Sequence, residues 1–147
     1  MQRETAFDLG RSLIGVVTLL DYLLGRGSAW NDPAVFRRCR NATAHVMGNA
    51  YFFLRPIWAE HPDLDPAQGD NPLQLPLDST LPPDPFSSEE AIPVLRRVNV
   101  LVPRLVAQLS EDEGYRARVH EIRTDAEELL RSVKIAEDAF RPEPPGT

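Results

Sequence analysis

Apolar residues recur at alternating steps of three and four along most of this chain, and that spacing limits its fold more than any other feature. Phe36, Cys39, Thr43, Val46, Ala50, Phe53 and Ile57 keep the pattern over one segment, and Leu95, Val98, Val102, Leu105 and Leu109 over another. Tyr115, Val119, Ile122, Ala126, Leu129, Val133, Ala136 and Phe140 keep it over the last segment. Such a seam lies on one face of an α-helix. Several seams together call for shallow crossing angles and knobs-into-holes packing. Near the start of the chain, Leu9, Leu13, Val16, Leu20 and Leu23 make a further seam, widened by Ile14, Val17, Leu19 and Leu24. There only a strip through Asp8, Arg11, Gly15 and Thr18 is free of large apolar side chains. A helix apolar around most of its circumference is buried around most of it. The expected fold is all-α: a four-helix bundle in one domain, residues 1–147, with helices near 3–25, 33–60, 88–109 and 111–140.

The breaks between segments carry their own signals. Gly25-Arg26-Gly27 stops the first helix. Asp32 can cap the second, and Pro33 suits its first position, where the missing N–H would be unbonded anyway. Pro56 should kink that helix near its end, and Pro93 and Pro103 should weaken or bend the third. Ser87 with Glu90, and Ser110 with Glu113, have the spacing of capping boxes ahead of the third and fourth helices. Residues 61–87 hold prolines at 62, 66, 72, 76, 82, 83 and 85, a density no helix tolerates. This Pro-rich strap connects helices two and three, and Leu73, Leu75, Leu77, Leu81 and Phe86 suit packing onto the bundle. It leaves the direction of helix three relative to helix two open. Residues 141–147 read as a frayed tail.

The net charge is −6, which disfavours general binding of nucleic acid, because such binding rests on cationic contacts to phosphates. Lys134 is the only lysine, and Arg37, Arg38 and Arg40 form the densest basic cluster. The single cysteine, Cys39, excludes an intramolecular disulfide framework and any cysteine-based metal cluster. The longest apolar run, from Ser12 to Gly25, is interrupted by Asp21 and is too short for a membrane span. A cytoplasmic protein without a cofactor is expected. The outward apolar surface of helix one points to a homodimer formed through that helix.

Three histidines are available for chemistry. His61 stands at the end of helix two, His120 lies among charges on helix four, and His45 falls within "RNATAH", residues 40–45. No Glu-x-x-His pair occurs, so the inward-facing ligand set of a di-metal bundle is missing. Arg40, Asn41 and His45 match the motif of an arginine, then four to six intervening residues, then a histidine, with a polar residue directly after the arginine. On these six residues the chain resembles the HEPN family of helical-bundle ribonucleases. That resemblance implies metal-independent RNA cleavage at a dimer interface. His45 would act as general base toward a 2′-hydroxyl, and Arg40 would hold the phosphate.

Helical geometry sets a condition on that reading. Five residues at about 100° each place Arg40 and His45 roughly 140° apart on a straight helix, so they meet only at an irregular turn or across a symmetric interface. Arg38, Asn41, His45 and Asn49 step by three, four and four and share one face. Two functions are therefore carried forward. The first is a protein that works by binding another protein, as an adaptor, an immunity protein or an antitoxin-like regulator. The second is a HEPN-type endoribonuclease using His45 with Arg40 or Arg38 and Asn41.

Overall fold

A computed structural model describes residues 1–25, 32–66 and 90–141, and these residues form a four-helix bundle. The helices are α1 (Arg3–Gly25), α2 (Pro33–Glu60), α3 (Ala91–Glu111) and α4 (Val119–Phe140). Short 3₁₀ turns at Pro62–Leu64 and Glu113–Arg118 follow α2 and precede α4. Residues 67–89, most of the strap with its leucines and Ser87, lie outside the described residues, as do 26–31 and 142–147.

The seams read from the sequence form the core. Cys39, Val46, Ala50, Phe53 and Ile57 of α2 are fully buried, as are Leu95, Val98, Val102 and Leu109 of α3 and Leu129, Val133 and Ala136 of α4. Asp32 caps α2 by accepting hydrogen bonds from the Ala34 and Val35 amides at 2.9 and 3.4 Å. Pro56 and Pro103 are accommodated inside their helices, and α2 runs one further turn to Glu60. There the His61 amide closes the helix on the Ile57 carbonyl at 2.9 Å. Pro93 falls in the first turn of α3, where helical N–H groups have no intrahelical acceptor, so it costs no hydrogen bond.

The start of the fourth helix departs from the expected boundary. The spacing of Ser110 and Glu113 predicts a cap there, but α3 continues through Ser110 to Glu111. The Ser110 hydroxyl donates back to the Val106 carbonyl at 2.7 Å, a bond open to a serine inside a helix but not to one capping the next. Asp112 is the capping residue instead, accepting from the Gly114 amide at 2.9 Å. It opens a 3₁₀ turn in which Tyr115 is buried, and α4 proper begins at Val119.

Pairwise packing fixes the topology. α1 lies against α2 and α3, and α4 lies against the same two from the opposite side. The Cys39 thiol meets the Ala139 carbonyl, so the start of α2 adjoins the end of α4. Arg96, early in α3, pairs with Glu137 of α4 at 2.8 Å, so α3 also starts beside the end of α4. At the other end Arg3 pairs with Asp63 at 2.6 Å, and the amine of Met1 lies 3.4 Å from Asp112. Helices α2 and α3 therefore run parallel on one diagonal of the bundle. The link between Leu64 and Ala91 must join opposite ends of it, a rise of about 30 Å or more at 1.5 Å per residue. A short turn cannot do this, since even a fully extended chain needs about nine residues to cover that distance.

The first helix bears on the argument for a homodimer. Leu13, Ile14, Gly15, Val16 and Val17 are buried without a break. At about 100° per residue such a run passes right around the helix. Leu20, Leu23 and Leu24 are buried as well. The large apolar residues left exposed among the described ones are Phe52, Val100 and Ile135, none of them on α1. The apolar surplus that pointed to a homodimer through helix one is thus covered within a single chain.

Candidate functional site

Of those three exposed residues, two have simple surroundings. The Arg55 guanidinium lies 4.6 Å from the centre of the Phe52 ring and shields its face. Val100 stands on the outer side of α3. Ile135, 59 % exposed, is different because it stands in a groove.

The groove runs between α2 and α4 and encloses about 870 Å³. From α2 it is lined by Ala34, Arg37, Arg38, Asn41, Ala42 and His45, and from α4 by Ile135, Asp138 and Ala139, with Arg141 just past its end. A smaller hollow of about 310 Å³ continues it toward the middle of the bundle. The two share His45 and Ile135, and the second adds Asn49 from α2 with Glu128, Arg131 and Ser132 from α4. The face shared by Arg38, Asn41, His45 and Asn49 in the sequence is therefore one wall of a real groove.

Arg40 is not on that wall. It is exposed, and α2 is unbroken from Pro33 to Glu60, so there is no irregular turn to swing it toward His45. Within one chain Arg37, Arg38 and Arg141 line the hollow with His45, and of these Arg38 shares its helix face. His61 and His120 take no part: His61 Nε2 lies 2.9 Å from the Met1 carbonyl at the far end of the bundle, and His120 is exposed near the start of α4.

The groove is held in shape from beneath. Cys39 is fully buried below Arg38, and its thiol donates to the Ala139 carbonyl at 3.2 Å. Burial pushes the Cys39 thiol pKa up, with the neighbouring Arg38 charge opposing it in part. At the rim Arg141 reaches Asp138 at 3.6 Å and Glu137 at 3.8 Å, and Arg131 pairs with Glu128 one turn earlier. Among the described residues four arginines thus stand against two carboxylates in the combined lining, in a protein that is acidic as a whole. Among the described residues no Phe, Tyr or Trp lines either hollow, and the one aromatic ring is the His45 imidazole.

A second polar cluster ties the opposite end together. Glu60, at the close of α2, accepts from the Tyr115 hydroxyl and from the Met1 amine, the latter at 2.9 Å. The Tyr115 bond, then that of the amine, holds the Glu60 pKa below its ordinary value. Burial first, and then the bond to Glu60, push the Tyr115 phenol well up. The cluster joins α1, α2 and the turn ahead of α4.

Among the described residues no group of three or more histidine, cysteine, aspartate or glutamate side chains is placed to hold a metal ion. Nor is any described helix long and apolar enough to cross a membrane.

The half of the groove given by α4 escaped sequence reasoning. Ile135 carried the available signal, as a β-branched aliphatic off the seam through Leu129, Val133 and Ala136. Arg141 and Asp138 had no signal, since charged residues late in a helix are ordinary. A scan against protein-family models, and searches of curated proteins and of solved structures, find no match to this chain.

Proposed function

We propose that the protein acts by binding another protein in the groove between α2 and α4, in the manner of an adaptor, an immunity protein or an antitoxin-like regulator. The observation that carries the reading is Ile135, more than half exposed on a helix whose other large apolar residues are covered, and standing among Arg37, Arg38 and Arg141. An exposed aliphatic in a concave site ringed by charge has the composition of an interface centre with a polar rim. The alanines at 34, 42 and 139 let a partner approach the helix backbones closely. The test is a photo-cross-linking residue at position 135, with one at position 100 as control, in the cells that make the protein. Adducts with a defined second protein at 135 and not at 100, lost on Arg38→Glu, support the reading. No protein adduct at 135 overturns it.

A second reading, a metal-independent endoribonuclease, is favoured by one observation: Arg38, Asn41 and His45 line the same groove. A general base, a polar neighbour and a phosphate-holding cation are the groups such cleavage needs. The protein-binding reading is preferred because an exposed aliphatic, Ile135, stands in the groove, and no Phe, Tyr or Trp among the described residues lines it to stack bases.

A further inference from the structure

We infer that the partner enters the groove as an acidic amphipathic helix of about four turns. This rests on the protein-binding reading above and names what that site would recognise.

The mode of recognition follows from what the surface offers. An extended segment binds by adding a strand to a sheet edge, and the described residues are helical with no strand among them. A groove between two antiparallel helices instead accepts a third helix, whose side chains enter between the ridges of the first two. The length follows from α2. The continuous lining runs from Ala34 to Asn49, sixteen residues of regular helix spanning about 22 Å. That matches four turns of a partner helix lying alongside.

The chemistry follows from the lining. Ile135 lies where the two hollows meet, so it falls near the middle of the bound helix and faces its apolar stripe. Asp138 is already met by Arg141, and Glu128 by Arg131. Arg37 is exposed and forms no ion pair with another described residue, and the described lining as a whole carries four arginines against two carboxylates. The surplus of the groove is cationic, and the complement is a helix with carboxylates flanking its apolar stripe. Asn41, His45 and Asn49 supply neutral donors along the same edge.

Two measurements test the inference separately from the reading beneath it. First, the adduct formed through position 135 is digested and the cross-linked segment sequenced. The expected segment belongs to a second protein, has leucine-like residues at helical spacing, and carries an excess of Asp and Glu. An adduct with a second protein that maps to a basic or proline-rich segment overturns the acidic helix and leaves protein binding standing. An adduct with residues 67–89 of this chain, with a second copy, or with RNA overturns both. Second, a labelled synthetic helix of about fifteen residues, with leucines on one face and glutamates on the rest, is titrated with the full chain and followed by fluorescence anisotropy. It should bind more weakly as salt rises. Binding should fall roughly fivefold or more on Ile135→Ala and on Arg38→Glu, and hold on Val100→Ala. Equal binding of the same peptide with lysine in place of glutamate, or equal binding to the Ile135→Ala protein, overturns the inference, as does failure of the glutamate peptide to bind.

Discussion

The thiol of Cys39 donates to the carbonyl of Ala139, 3.2 Å away and one hundred positions later in the chain. The bond fastens the start of α2 to the end of α4, directly under the groove that Arg38 and Ile135 share. It also takes the thiol out of reach. Cys39 has no exposed surface, and burial raises its pKa, so the reactive thiolate is scarce at neutral pH. Ellman's reagent should therefore label the native protein far more slowly than the unfolded one, at a rate that follows opening of the α2–α4 contact. Labelling as fast as that of a free thiol would mean that this end of the bundle is open in solution.

The opposite end depends on pH through Glu60 and Tyr115. The folded pKa of Glu60 is lowered, so its contribution to stability is full above the ordinary value of 4.5 and fades as pH falls through the lowered one. The folded pKa of Tyr115 is raised, so its contribution is full below 10.0, the ordinary value, and is lost as pH rises through the raised one. Tyr115→Phe removes the bond between the two and should cost about 1 kcal/mol near neutral pH, read by urea denaturation. The gap between wild type and variant should narrow in acid, where Glu60 is protonated, and again in strong base. A gap constant across the whole pH range would show that packing of the ring, and not its hydroxyl, sets the contribution.

The helices were legible because burial leaves a period. Cys39 to Ile57 and Leu95 to Leu109 have to meet one core, and the three–four step is the only spacing that lets them. The start of α4 was not legible, because "SEDE" offers two capping groups two residues apart and only the backbone decides between Ser110 and Asp112. The site was half legible. The polar wall of α2 follows from the arithmetic of Arg38, Asn41 and His45 on one helix. Its facing wall depends on which surface of α4 turns toward it, and so on whether α3 runs parallel or antiparallel to α2. The long connection leaves that choice open. On α1, the breadth of the apolar surface was read correctly, but a broad apolar face does not say whether its own chain or another covers it.

That distinction has a measurable consequence. With Leu13, Ile14, Val16 and Val17 buried within one chain, no large apolar face on α1 calls for a second copy. Light scattering at micromolar concentration should return the mass of a monomer. If it returns a dimer, substitution of Ile135 by glutamate decides where the copies meet. Dissociation by Ile135→Glu would place the contact in the α2–α4 groove. A dimer indifferent to that change and broken by substitutions on α1 would restore the interface the sequence suggested.

The last expectation concerns RNA. The resemblance of residues 40–45 to the HEPN motif assigns the phosphate to Arg40, yet Arg38 lines the groove on the same helix face as His45 and Arg40 does not line it. The two arginines therefore separate the accounts. The purified protein is expected to leave single-stranded RNA intact in the presence of a chelator. If it cleaves, His45→Ala should abolish the activity without lowering the melting temperature, because an exposed side chain contributes little packing. Loss in Arg38→Ala with Arg40→Ala active would then make the groove of one chain the site. Loss in Arg40→Ala with Arg38→Ala active would require two chains, since α2 gives Arg40 no route to His45 of its own chain. Either pattern of metal-independent cleavage would displace protein binding as the main function of the groove. Absence of cleavage by wild type, together with a protein adduct at position 135, would leave Arg38, His45 and Ile135 as parts of one binding surface.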